Sequence, residues 1–143
     1  MNLSKDEVEE ITLAGRLHDV GKALIPKTIL SNPGPLDQQE WTAVKHHPEY
    51  GASLMEPLKS LNTILPMVRS HHERFDGGGY PDSLACDDIP IGARILAVAD
   101  AYSTMVTGRA YRAAISSESA LEELVRCSGT QFDPDVIAVM VKL

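Results

Sequence analysis

The five histidines of this chain fall at three places: His18 beside Asp19, the pair His46 and His47, and the pair His71 and His72. A further acid, Asp100, interrupts the otherwise apolar stretch ARILAVADAY at residues 93–102. An ionised Asp in such a stretch is costly unless it is paired or bound to a cation. Imidazole with carboxylate is the ligand set of iron, manganese or zinc rather than of calcium. Asp19, adjacent to His18, could reach the same centre and bridge two ions. Each piece alone has an ordinary explanation. His-Asp is a common chance dipeptide, and paired histidines usually mark a solvated helix face. Asp100 could pair with Arg94 or Arg109, and the run DGGGYP (residues 76–81) reads by itself as a turn. Together they point to a metal centre.

The elements that must position these groups are helices. Ser4 with Glu7 has the capping-box spacing, and Val8, Ile11, Gly15 and His18 follow at steps of three and four, with Gly21 as the expected helix end. Asp37 with Glu40 caps a second helix through Trp41 and Val44 towards His47, after the loop Pro33-Gly34-Pro35. Pro48 suits the first turn of another. Ile64, Val68, His71 and Phe75 predict a third amphipathic helix, with His71 and His72 in its middle. Adjacent side chains on such a helix diverge by about 100°, so the pair would grip cations across its flank. The glycine-rich run opens an irregular loop to about Pro90, and a long helix follows through Ala93, Leu96, Asp100 and Ser103. Ser116 or Ser117 starts the next, and Asp133-Pro134 opens the last. No alternating strand pattern or internal repeat is present. The expectation is an all-α single domain over residues 1–143 with about seven helices.

Composition narrows the function. With 13 basic and 20 acidic residues the net charge is −7, the wrong sign for general DNA or RNA binding. A small anionic substrate stays compatible if a metal supplies local positive charge. The two cysteines, Cys86 and Cys127, fit neither a disulfide framework nor a thiolate zinc site. The longest apolar run, residues 95–99, is far too short to span a bilayer, and the acidic N-terminus is unlike a secretory signal. A soluble, cytoplasmic domain is expected.

The chain resembles the HD-GYP family, the bacterial subgroup of metal-dependent HD phosphohydrolases. The matching stretches are LHDVGK (17–22), KHHPEYG (45–51), HHERFDGGGYP (71–81), ARILAVADAYSTMVTGRAYR (93–112) and GTQFDPDV (129–136). The resemblance implies an HD-domain helical bundle with an irregular GYP loop. It also implies a hydrolase of bacterial second-messenger signalling: a metal-dependent phosphodiesterase that converts cyclic di-GMP to pGpG or GMP. Two divalent ions are expected, iron or manganese, with zinc, nickel and magnesium as lesser options. By position, the implied metal ligands are His18, Asp19, His47, His71, His72 and Asp100, while His46 matches none. Asp19 and Lys22 are the implied catalytic groups, Lys22 touching a phosphate or the attacking water. Arg109, Arg112 and Ser103 join Lys22 as implied substrate contacts. The mechanism implied is two-metal hydrolysis without a protein nucleophile. Glu73 and Asp76 are read as bracing the loop. The loop itself either props the metal helices or shapes the substrate mouth or a protein contact.

Two departures from the family pattern bear on activity. The family carries an upstream helix with a further histidine and, in one branch, a glutamate; only seventeen residues precede His18 here, none of them histidine. The domain is thus expected to be N-terminally truncated, with no third metal. Ser103 stands where the family commonly has aspartate, and Ala110 replaces a common proline. The alternative reading is a weak or inactive module that binds cyclic di-GMP or docks on diguanylate cyclases, and a third is action on another cyclic dinucleotide. An upstream sensor or receiver domain and a homodimer complete the partners considered.

Overall fold

Ser4 starts the first helix in the manner its spacing predicts: its Oγ accepts the Glu7 amide at 3.2 Å while Glu7 Oε2 accepts the Ser4 amide at 2.7 Å. The computed structural model describes residues 3–108 and 113–142, so Arg109, Ala110 and Arg112 lie outside the described residues. Among the described residues eight α-helices follow one another: α1 (Lys5–Leu17), α2 (Lys27–Leu30), α3 (Gln38–Lys45), α4 (His47–Met55), α5 (Leu65–Ser70), α6 (Ile91–Thr107), α7 (Ser117–Arg126) and α8 (Pro134–Met140). Of these α2 is a single turn, which leaves seven longer helices, the number expected. Short 3₁₀ turns lie at Val20–Leu24, Lys59–Leu61 and Cys86–Asp88. No strand occurs among the described residues; one isolated bridge joins Ser128 and Phe132.

The helix α6 is apolar on most of its circumference because it is packed on two sides. Leu96 belongs to one core with Ile11 and Ala14 of α1, Met55 of α4, and Ile64 and Val68 at α5. Val98 and Met105 belong to a second, with Ala120 and Leu124 of α7, Phe132, and Val136 and Ile137 of α8. Burying side chains such as Ile64 and Leu124 contributes roughly 1.5–3 kcal/mol each before cavity terms. Between them the two cores clamp α6, and with it Asp100. None of the described helices is long and apolar enough to cross a membrane.

The capping signals at Asp37 with Glu40, at Ser116 and at Asp133 are realised by side-chain to backbone bonds, and Pro48 sits in the first turn of α4. Two boundaries differ from expectation. The first helix ends at Leu17, with His18 as its cap, and Gly21 lies inside the following 3₁₀ turn. More consequentially, His71 and His72 do not occupy the middle of a helix. The helix α5 stops at Ser70 and His71 caps it. The His71 ring N–H turns back to the Val68 carbonyl at 2.6 Å, and the Glu73 amide bonds to the Ser70 carbonyl at 2.9 Å, which closes the helix end. Phe75, expected on the same face, is already in the loop, where its amide bonds to the Gln131 carbonyl.

That loop is heavily tied. The amide of Asp76 bonds to the Thr130 carbonyl and that of Cys86 to the Phe75 carbonyl. Asp76 accepts from both the Gly78 amide and the Arg74 guanidinium, and Glu73 Oε1 accepts the Asp82 amide at 2.7 Å. Arg69 of α5 grips Asp82 through two 2.7 Å hydrogen bonds. Gly79 leaves no room for a Cβ, which would run into the backbone of Glu73 and Arg74.

Candidate metal centre

Three histidines share one local device. The Nδ1–H of His18 donates to the Gly15 carbonyl at 2.7 Å, that of His47 to Val44 at 2.7 Å, and that of His71 to Val68 at 2.6 Å. A carbonyl can only accept, so each contact fixes the proton on Nδ1 and turns Nε2 towards the centre. The carbonyls lie in the last turns of α1, α3 and α5, so three helix carboxyl ends converge on one point.

What those Nε2 atoms meet is mostly other acceptors. The Nε2 of His47 is 3.3 Å from His71 Nε2 and 3.3 Å from Asp19 Oδ1. The Nε2 of His18 is 3.5 Å from Asp19 Oδ2 and 3.9 Å from Asp100 Oδ1. Asp19 Oδ1 is buried and makes no hydrogen bond of good geometry. Lone pairs facing one another at such distances need positive charge between them, and a single proton on His47 could satisfy only one of its two contacts. A cation serves all of them, and the residues present fit divalent metal. Two clusters meet the spacing, His47 with His71 and His72, and His18 with Asp19 and His71; in each the donor atoms lie within 4.8 Å of one another. They share His71, whose one free nitrogen can serve a single ion, so the group able to join two neighbouring ions is Asp19, with Oδ1 near His47 and Oδ2 near His18.

The electrostatics agree with that chemistry. Burial pushes His71 down to about 4. Burial, with His71 and His47 close by, pushes His72 down to about 2. Both rings are thus neutral near pH 7, the form in which imidazole ligates metal. For Asp19 burial works against ionisation, but the Lys22 ammonium at Oδ2, and His47 and His18 whenever they carry a second proton, hold it well below the usual carboxylate range. The Lys22 ammonium donates to Asp19 Oδ2 at 2.7 Å.

The structure therefore brings together His18, Asp19, His47, His71 and His72, with Asp100 of α6 beside His18. His46 stands apart, bonded to Glu49 at 2.6 Å. Arg94 is engaged with Asp87 and Asp133 rather than with Asp100. Ser103 is exposed and lies off the cavity above the histidines, whereas Thr104, one residue on, lines it. Arg109 and Arg112 fall outside the described residues. That cavity measures about 1080 Å³, with His47, His71, His72, Asp100 and Lys22 in its lining. Tyr80 lines it as well, its ring stacked on His72 at 5.0 Å and 28°. Burial, with the charges of Asp19 and Asp100, pushes its hydroxyl up to about 12, so it keeps its proton. Its position in the loop motif was legible in the sequence, but its contact with His72 was not, since seven residues of loop intervene.

Comparisons with known proteins identify the family. The family model described as HD domain matches residues 1–136. A 3'3'-cGAMP-specific phosphodiesterase 2 of Vibrio cholerae serotype O1 is 38% identical over 142 residues, 98% of this chain and 27% of its own length. The cyclic di-GMP phosphodiesterase response regulator RpfG of Xanthomonas campestris pv. campestris is 37% identical over 144 residues, 99% of this chain and 38% of its own. A cyclic di-GMP phosphodiesterase of Thermotoga maritima is 38% identical over 145 residues, covering 100% and 39%. The chain thus spans between about a quarter and two fifths of these relatives. The crystal structure of a cyclic GMP-AMP-specific phosphodiesterase from V. cholerae superposes with a TM-score of 0.68 at 19% identity, over 99% of this chain and 39% of that one, and so shares the fold.

Proposed function

The chain belongs to the HD-domain family and carries its HD-GYP signature, and from that premise we propose that it is a metal-dependent phosphodiesterase acting on cyclic di-GMP. The observation that carries the reading is the set of acceptor-to-acceptor contacts of 3.3–3.9 Å among His18, Asp19, His47, His71 and Asp100. With His72 these residues form the proposed ligand set for two ions, iron or manganese by the mixture of imidazole and carboxylate. When bound, such ions neutralise the phosphate oxygens and acidify the water that attacks phosphorus.

The chain's own groups do the positioning. Asp19 takes part in one cluster and touches His47 of the other, so it holds the two halves of the site in register. The Lys22 ammonium, held at Asp19, is placed to offset the charge that builds on a phosphoryl oxygen. Asp19 and Lys22 are accordingly the proposed catalytic groups. Arg109 and Arg112 are proposed phosphate contacts on sequence grounds, and Ser103 is a proposed substrate contact on the same grounds alone, being exposed and outside the cavity lining. The products are pGpG or GMP. Diguanylate cyclase domains, an upstream sensor or receiver domain, and a second copy are the partners this reading admits.

The test is anaerobic reconstitution with iron or manganese, followed by chromatography of cyclic di-GMP and 3'3'-cGAMP reactions beside a His72→Ala control. Linear product that disappears in the control is expected. Preferred turnover of 3'3'-cGAMP would correct the substrate. Tight nucleotide binding without turnover would replace the enzyme by a binding module.

A further inference from the structure

A tryptophan on the rim of a polar centre needs an explanation. Trp41, the one tryptophan of the chain, is 48% exposed and belongs to neither apolar core. It lines the same cavity as the histidines, beside Leu30, Pro35 and Leu36. Leu30 is likewise exposed, at 45%. Leu36 and Trp41 occupy the positions just before the Asp37 cap and in the first full turn of α3, the spacing of a hydrophobic staple. A staple uses one part of an indole. The indole here is half exposed and borders the open cavity that also reaches the proposed metal centre.

The wall is also preformed. Asn32 Oδ1 accepts the Gly34 amide at 2.9 Å, and its amide group reaches Glu40 at 3.4 Å. Glu40 accepts the Asp37 amide at 2.9 Å, while Asp37 caps α3. The Pro33-Gly34-Pro35 loop is thereby tied to the helix that carries Trp41. A flat aromatic surface set rigidly beside a phosphate-binding centre is what a nucleobase stacks on, because stacking asks for a π face and little side-chain ordering.

We infer that Trp41, with Leu30, Pro35 and Leu36, is a base-stacking subsite that takes one purine of the nucleotide whose phosphate lies over the histidines. This subsite rests on the nucleotide reading given above, and it adds the element that reads the base rather than the phosphate. Trp41 is a binding residue here and takes no part in the chemistry.

The sole tryptophan makes the subsite directly observable. Its fluorescence is followed in the manganese-loaded chain while GMP, cyclic di-GMP or inorganic phosphate is added, the cyclic dinucleotide by rapid mixing before turnover. Quenching by both nucleotides and none by phosphate is expected. By titration calorimetry with GMP, which needs no fluorophore, Trp41→Ala should raise the dissociation constant by about tenfold or more over the parent, and Trp41→Phe should recover most of the loss. Metal content and circular dichroism of both variants should match the parent. If Trp41→Ala does not fold, quenching in the parent and the small loss in Trp41→Phe decide the matter. Equal quenching by phosphate, or unchanged GMP affinity in Trp41→Ala, would overturn the subsite. GMP binding needs no turnover, so a catalytically silent chain that is still quenched by GMP would remove the enzyme reading and leave the subsite standing.

Discussion

Gly21 and His47 meet backbone to backbone: a Cβ built on Gly21 would overlap the His47 carbonyl oxygen, and the Gly51 amide nitrogen beyond it. The 3₁₀ turn that carries Lys22 therefore packs on the first turn of α4 as closely as only glycine allows. This contact holds Asp19 at 3.3 Å from the His47 ring.

Replacing Gly21 by Ala forces two backbones apart. A destabilisation of about 3 kcal/mol is expected, together with loss of metal at the shared site. Gly51→Ala should be milder, about 1 kcal/mol, since its Cβ would meet the Val68 side chain at 3.2 Å and that side chain can yield. Chemical denaturation and metal analysis of the two variants check the ranking.

Divalent metal should stabilise the fold. At a hundredfold excess over its dissociation constant an ion that binds the native state adds about 2.7 kcal/mol. The melting temperature should rise with manganese and fall back with chelator. Asp19→Asn, which keeps the shape and removes the charge, should abolish most of that rise.

In the metal-free protein stability should fall on mild acidification. His71 and His72 take protons near 6.5 when unfolded but only at about 4 and about 2 when folded. Between pH 6.5 and 4 the unfolded chain binds protons that the native chain refuses, so stability drops as the pH falls through that window. The slope should approach roughly 1.4 kcal/mol per pH unit for each of the two rings, so that several kcal/mol are lost across the window by urea titration. A flat profile would mean the rings are solvated rather than buried.

Tyr80 stacks on His72 and should act by holding that ring. Tyr80→Phe keeps the stack and should leave manganese affinity within about twofold, whereas Tyr80→Ala should weaken it by about tenfold, the range seen when a supporting contact to a ligand is removed. Manganese titration by paramagnetic resonance reads this without any substrate.

How much of this was legible in the sequence divides by range. Ser4, Asp37, Ser116 and Asp133 announced four helix starts because a cap is a bond between residues two or three apart. The ends were harder. The helices leading to His18 and His71 stop early, each closed by a ring that bonds back to the carbonyl three residues before it, and apolar periodicity is blind to such a bond. The histidines and Asp19 were legible as a group of suitable types, but their meeting depends on Gly21 against α4 and on the clamping of α6, contacts far apart along the chain. Trp41 appeared in the sequence only as part of a helix pattern; its exposure over the cavity follows from the loop folded in front of it.

The carboxyl ends of α1, α3 and α5 around the centre have a consequence for the order of events. Their carbonyl ends, with Asp19 and Asp100, make the bare pocket a region of negative potential within a chain of net charge −7. Such a pocket repels a phosphate diester until cations have reversed its sign. On the proposed function, the backbone thus imposes an order of admission, metal before nucleotide, and a shortage of free metal would shut the phosphodiester out.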